Sequence, residues 1–208
     1  DYYSVVSTWL PIVLAFVLGL SLILLTVAFR SIVVALTAIA VNLLSVGAAY
    51  GLLVLVFQRG LGADLFGFGQ VERLAAWVPV FLFSVLFGLS MDYQVFLLSR
   101  IHEHYSQTGD TRESSVYGVS STARLITGAA LIIVVVFIGF ATGKLVAFQQ
   151  MGFGVAAALL IDATLIRMVV IPSAMGLLGD RNWYLPSWLR WLPKVEIEAP
   201  QAKAKIPA

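Results

Sequence analysis

Five long apolar stretches, at residues 9–29, 32–57, 77–99, 125–141 and 151–178, alternate with shorter polar segments along this chain. About 20 apolar residues in a helix cross a hydrocarbon core of roughly 30 Å. The pattern therefore predicts an all-α fold, a polytopic membrane bundle of five transmembrane helices. Pro11 is placed near the start of the first span, where a missing amide matters least. The break at 58–76 mixes four glycines with Arg59, Asp64, Glu72 and Arg73, and reads as a loop ending in a short interfacial helix before Trp77. Arg100 to Ser121 reads as a charged segment outside the bilayer, with Ser120 or Ser121 capping the fourth helix. Residues 1–180 are expected to form the bundle and 181–208 a cytoplasmic tail, interfacial through Trp183, Trp188 and Trp191 and disordered after Lys194.

The polar residues inside the spans carry the candidate chemistry. Asp92 is the sole formal charge between Trp77 and Leu98. At about 100° per residue, Ser84, Gly88, Asp92 and Ser99 share one small, polar face, and a second helix is expected to pack there. A carboxyl so placed is a candidate proton carrier, loading and releasing a proton as its surroundings change. Tyr93 follows it, and its hydroxyl needs a partner if buried. The fifth span holds Asp162 and Arg167. Five α-helical residues separate directions by about 140°, so the two are expected to need other partners. Arg124, at the end of the preceding span, is one candidate for a structural interhelical pair. Asn42 reads as a polar packing contact, and Gly47-x-x-x-Gly51 as ordinary packing within the bundle.

The stretch FGLSMDYQVFLLSRIHEHY, Phe87 to Tyr105, resembles the Asp-Tyr helix of MMPL transporters, within the resistance-nodulation-division superfamily. Phe29 to Gly51 and Asp162 to Pro186 fit the same family, so the resemblance covers nearly the whole chain. It implies the membrane domain of a transporter's second half, driven by the proton-motive force and exporting lipids or other hydrophobic molecules. Asp92 and Tyr93 would be this half's share of an intramembrane proton relay, with Ser84, Gly88 and Ser99 lining its face. The other share would lie in a missing N-terminal half, which with the extracytoplasmic domains would be this chain's partner. The proton is the coupling ion, no other cofactor is implied, and the location is the bacterial inner membrane. A proton- or sodium-driven drug-efflux or protein-export module is the alternative, and a non-transporting membrane scaffold is a further one.

Composition agrees with the membrane class: 60% of the 208 residues are hydrophobic and 12% are charged. With no cysteine, disulfides and thiolate metal sites are excluded. Gly88-x-Ser90-x-Asp92 lacks the last glycine of a nucleophile elbow, and no histidine lies in a span to activate a serine, so an enzyme is not expected. Gly152-x-Gly154-x-x-Ala157 imitates a dinucleotide fingerprint but opens a spanning helix, where it reads as packing. His102 and His104 have no metal-site spacing and are expected to be solvated, and nothing points to nucleic acid.

Orientation follows from the basic residues. Arg30, Arg100, Arg112, Arg124, Arg181, Arg190, Lys194, Lys203 and Lys205 fall on one side, and Arg59, Arg73 and Lys144 on the other. The richer side is cytoplasmic by the positive-inside rule, which puts the N-terminus outside and the C-terminus inside. A chain opening at Asp1 is expected to be a fragment of a longer protein.

Overall fold

Five helical runs, Thr8–Phe29, Ile32–Gln58, Trp77–Thr108, Thr111–Ala141 and Val146–Trp183, are long and apolar enough to cross a membrane. They belong to a computed structural model that describes residues 2–189 and 191. The elements are α1 (Tyr2–Phe29), α2 (Ile32–Leu53) with a π-helical turn (Val54–Gln58), α3 (Ala63–Phe66), α4 (Trp77–Thr108) and α5 (Thr111–Ala141). Next, α6 (Val146–Ile161) runs without a break through a π-helical segment (Asp162–Val170) into α7 (Ile171–Leu178), followed by 3-10 turns at Gly179–Trp183 and Ser187–Leu189. The all-α membrane bundle expected from the pattern is what the chain forms.

The ends of the elements differ from the pattern for identifiable reasons. Because α1 begins at Tyr2, Pro11 lies inside a helix and not at its start. The short helix in the 58–76 loop is α3, set between left-handed Gly62 and Gly67, and does not lead into Trp77. The segment from Arg100 to Ser121 is helical almost throughout. Gly109, at φ 71°, ends α4 in the left-handed conformation that glycine adopts without strain. Asp110 then caps α5, its carboxylate accepting from the amides of Arg112 (2.8 Å) and Glu113 (3.0 Å). The cap is thus Asp110, and Ser120 and Ser121 lie well inside the helix. At 32 residues, α4 is about 48 Å long at 1.5 Å per residue, so the α4–α5 hairpin projects beyond a bilayer core.

The core is two apolar clusters. One gathers Leu53, Phe57, Val78, Leu82, Phe87, Val155 and Leu159. The other gathers Leu25, Phe29, Ala35, Leu97, Ile101, Ile166 and Met175. On α2, α4 and the α6–α7 run alike, residues of the two clusters flank a short buried polar stretch: Asn42 and Ser45, Ser90, and Asp162. α5 lies against α4 and α6, where Gly152 seats the α6 backbone against that of α5. Packing is therefore the role of that glycine, as its sequence context suggests.

The chain after α7 folds back onto the bundle. Ser31 caps α2, accepting from the Val34 amide, and donates a short hydrogen bond to the Asn182 carbonyl. Trp183 stacks on Tyr105 and contacts His102, whose ring also meets Phe29. His104 stacks on Tyr117 and shares a hydrogen bond with Ser114 Oγ. Both histidines are thus packed against aromatic rings, and neither is the freely solvated side chain expected. Trp188 and Trp191 are exposed, whereas Trp183 is held in the fold. The tail expected to be disordered after Lys194 lies outside the described residues.

Candidate functional site

Between the apolar clusters, α2, α4 and the π-helical segment bring Asn42, Ser45, Ser90, Asp162 and Arg167 together, each at most 3% exposed. The π-helix makes this meeting possible. Its hydrogen bonds run between residues five apart, as from the Ile171 amide to the Ile166 carbonyl. Residues five apart then stack on one face, where α-helical winding would separate them by about 140°. The expectation that Asp162 and Arg167 need separate partners is corrected here: Arg167 Nη2 lies 2.9 Å and Nε 3.0 Å from Asp162 Oδ2. Arg124, the other candidate, is exposed and has no part in the network.

Four donor groups face the Asp162 carboxylate: Ser45 Oγ (2.9 Å), Ser90 Oγ (3.0 Å), and Arg167 Nε and Nη2. Ser90 Oγ is also 2.8 Å from Asn42 Oδ1 and 3.0 Å from the second Asp162 oxygen. A hydroxyl has one proton to donate, so Ser90 chooses between the carboxylate and the amide of α2. The orientation of this one hydroxyl therefore links the Asp162 carboxylate to the α2–α4 contact. Arg167 Nη2 donates in addition to the Ser90 carbonyl at 2.7 Å. Its Nη1 is buried without an acceptor among the described residues, and Arg167 borders a cavity of about 10 Å³ beside Thr122 and Met168. Flanked by apolar clusters, these interactions are stronger than they would be in water, and more costly to leave incomplete.

The sequence-selected face lies on the other side of α4. The stripe that packs inward is Ser90, Gln94, Leu97, Leu98 and Ile101. Ser84, Gly88 and Asp92 are exposed, Ser99 is half-buried, and nothing lies within 4 Å of a Cβ built on Gly88. Ser84 and Ser99 each hydrogen-bond a carbonyl one turn back on their own helix. Among the described residues no helix covers this face, and no hydrogen bond joins Asp92 to Tyr93. Tyr93 instead sits beneath Arg167, whose guanidinium carbon is 5.3 Å from the ring centroid, within cation–π range. Gly47 and Gly51 also face open space, so their spacing does not serve packing within this bundle.

Two participants escape a reading of the sequence. Ser90 draws notice only as an unlikely nucleophile, and Ser45 draws none, although its place three residues after Asn42 puts both on one α-helical face.

The model of the MMPL family matches residues 3–197. The chain is 43% identical over 99% of its length to the mycolic acid-containing lipids exporter MmpL11 of Mycolicibacterium smegmatis, covering 22% of that protein. It is 42% identical over 99% of its length to the heme uptake protein MmpL11 of Mycobacterium tuberculosis, covering 21%. It is 37% identical to the trehalose monomycolate exporter MmpL3 of Mycolicibacterium smegmatis over 87% of this chain and 18% of that protein. The chain thus spans about a fifth of the length of the curated relatives it matches.

Proposed function

Because the chain belongs to the MMPL family, we propose that it supplies one membrane half of a transporter that exports lipids at the expense of the proton-motive force. The observation that carries this reading is the position of Arg167. Its guanidinium holds the buried Asp162 carboxylate with one edge and lies over the ring of Tyr93, so one side chain touches both the buried charged layer and the residue next to Asp92. An uncovered carboxylate in the middle of an apolar helix is costly in hydrocarbon. Asp92 therefore calls for a covering surface, which the N-terminal half of the same transporter would provide together with its own acid. In this arrangement Asp92 carries the proton, Tyr93 relays it, and loading or release alters the pull on Arg167. Ser90 then shifts its single proton between Asp162 and Asn42, turning a charge event into a change of helix contact.

Lipid cargo is inferred from relatives named for mycolic acid-containing lipids and trehalose monomycolate. The intact transporter, reconstituted in vesicles with an imposed pH gradient, tests the reading. Asp92→Asn is expected to lower lipid export roughly tenfold or more, about 1.4 kcal/mol, with insertion and thermal stability retained. Undiminished export by that variant, or by wild type after the gradient is collapsed, would overturn it. Hemin supplied in place of lipid discriminates the cargo named for the Mycobacterium tuberculosis relative.

A further inference from the structure

One helical turn beyond Ser90 on α4 is Gln94, and one turn beyond Arg167 is Ile171. Both border a cavity of about 10 Å³ whose wall also includes Thr37, Leu98, Met175 and Asn182. That volume suits one water molecule. Gln94 is 2% exposed, yet its amide makes no hydrogen bond with a described residue. Asn182 is 0% exposed, and its Nδ2 donates to the carbonyls of Met175 (2.7 Å) and Gly179 (2.6 Å), closing the end of α7. Capping accounts for the Asn182 nitrogen but leaves Oδ1 buried without a donor among the described residues. Buried polar atoms of this kind are almost always satisfied, by protein or by an ordered water. No charged side chain borders the cavity, so nothing on its wall would neutralise a bare cation. Its amide, carboxamide oxygen and hydroxyl offer the donors and acceptors that a water needs.

We propose that Thr37, Gln94 and Asn182 bind a buried water, and that this water is the inner step of a polar path from the Ser90–Arg167 layer to the aqueous face. The exit is marked by Asp180 and Arg181, the two exposed residues that precede Asn182. The path gives protons a route to the Arg167 layer beside Tyr93 that does not pass the open face of Asp92. Its use by protons rests on the proton-coupled reading above, whereas the water itself does not.

Radiolytic hydroxyl-radical labelling of the intact transporter in nanodiscs tests the site, because radicals form from water beside the side chains they mark. Met175, 2% exposed, borders the cavity, and Met151, 6% exposed, does not. Met175 is expected to be oxidised several-fold faster than Met151. Gln94→Leu, close in volume, and Thr37→Val, which removes only a hydroxyl, are each expected to reduce Met175 labelling several-fold while the exposed Met168 is unchanged. Labelling of Met175 no faster than Met151 in wild type, or insensitive to both substitutions, would overturn the proposal. If Met175 is labelled as expected but export proves independent of the pH gradient, the water stands and the proton-coupled reading falls. If the water is present but Gln94→Leu leaves gradient-driven export unchanged, the path to the Ser90–Arg167 layer is refuted.

Discussion

Removing one charge from the Asp162–Arg167 pair leaves the other buried in a layer with apolar clusters on both sides. Breaking a buried pair in this way costs about 3–5 kcal/mol, while replacing both members by uncharged residues of similar volume is often neutral. Asp162→Asn and Arg167→Met are each expected to lower the thermal stability of the intact protein markedly. The double variant should recover most of the loss. A double variant as unstable as the singles would show that the pair is held by shape and not by charge. The same layer explains what could be read at this scale. The charges and Asn42 stood out in the sequence because formal charge and amides are rare in a span. Ser45 and Ser90 did not, since a lone hydroxyl in a helix can return its proton to its own backbone, as Ser84 and Ser99 do. Only the opposing helix reveals which hydroxyls face a carboxylate.

At the scale of the element, winding decided the site. Five spans were legible because hydrocarbon thickness sets helix length. The π-helical segment was not, because its register is imposed by partners on α2 and α4 and not by any local signal in DATLIRMVV. An α-helical reading of that segment separates Asp162 from Arg167, and the observed winding joins them. The α4–α5 hairpin was missed for a related reason: Gly109 and Asp110 turn the chain in so little space that the surrounding charges resemble a loop. Helix contacts are sharper to predict. A Cβ on Gly152 would lie 2.4 Å from both the Ala141 amide nitrogen and the Phe137 carbonyl oxygen, and neither backbone atom can yield. Gly152→Ala should therefore cost about 1–3 kcal/mol by overpacking. Gly139→Ala meets nothing within 4 Å and should be neutral or slightly stabilising. Thermal unfolding of the two variants side by side checks the contrast, and equal melting temperatures would contradict the α5–α6 contact.

At the scale of the whole molecule, the packed stripe of α4 faces the bundle while the stripe of Ser84, Gly88 and Asp92 faces outward. From the sequence only the stripe of Ser84, Gly88 and Asp92 looks interior, since it is small and polar within an apolar helix. The packed stripe is mostly leucine and isoleucine after Gln94 and carries no such mark. The bundle has room for one of them. In hydrocarbon the outward stripe would expose a carboxylate and forgo the close backbone approach that small residues allow. Under the proposed function, this stripe is the surface that a second membrane half would cover. A side chain added at Gly88 tests this without disturbing the chain's own packing, because nothing lies within 4 Å of its Cβ position. In the intact transporter, Gly88→Leu is expected to lower both export and thermal stability, since the added bulk would hold the two halves apart. Gly139→Leu, also exposed and also open, serves as the control and should change neither. If Gly88→Leu behaved like that control, the Asp92 face would be one that meets lipid or water, and the relay would have to run through the buried Asp162 side alone.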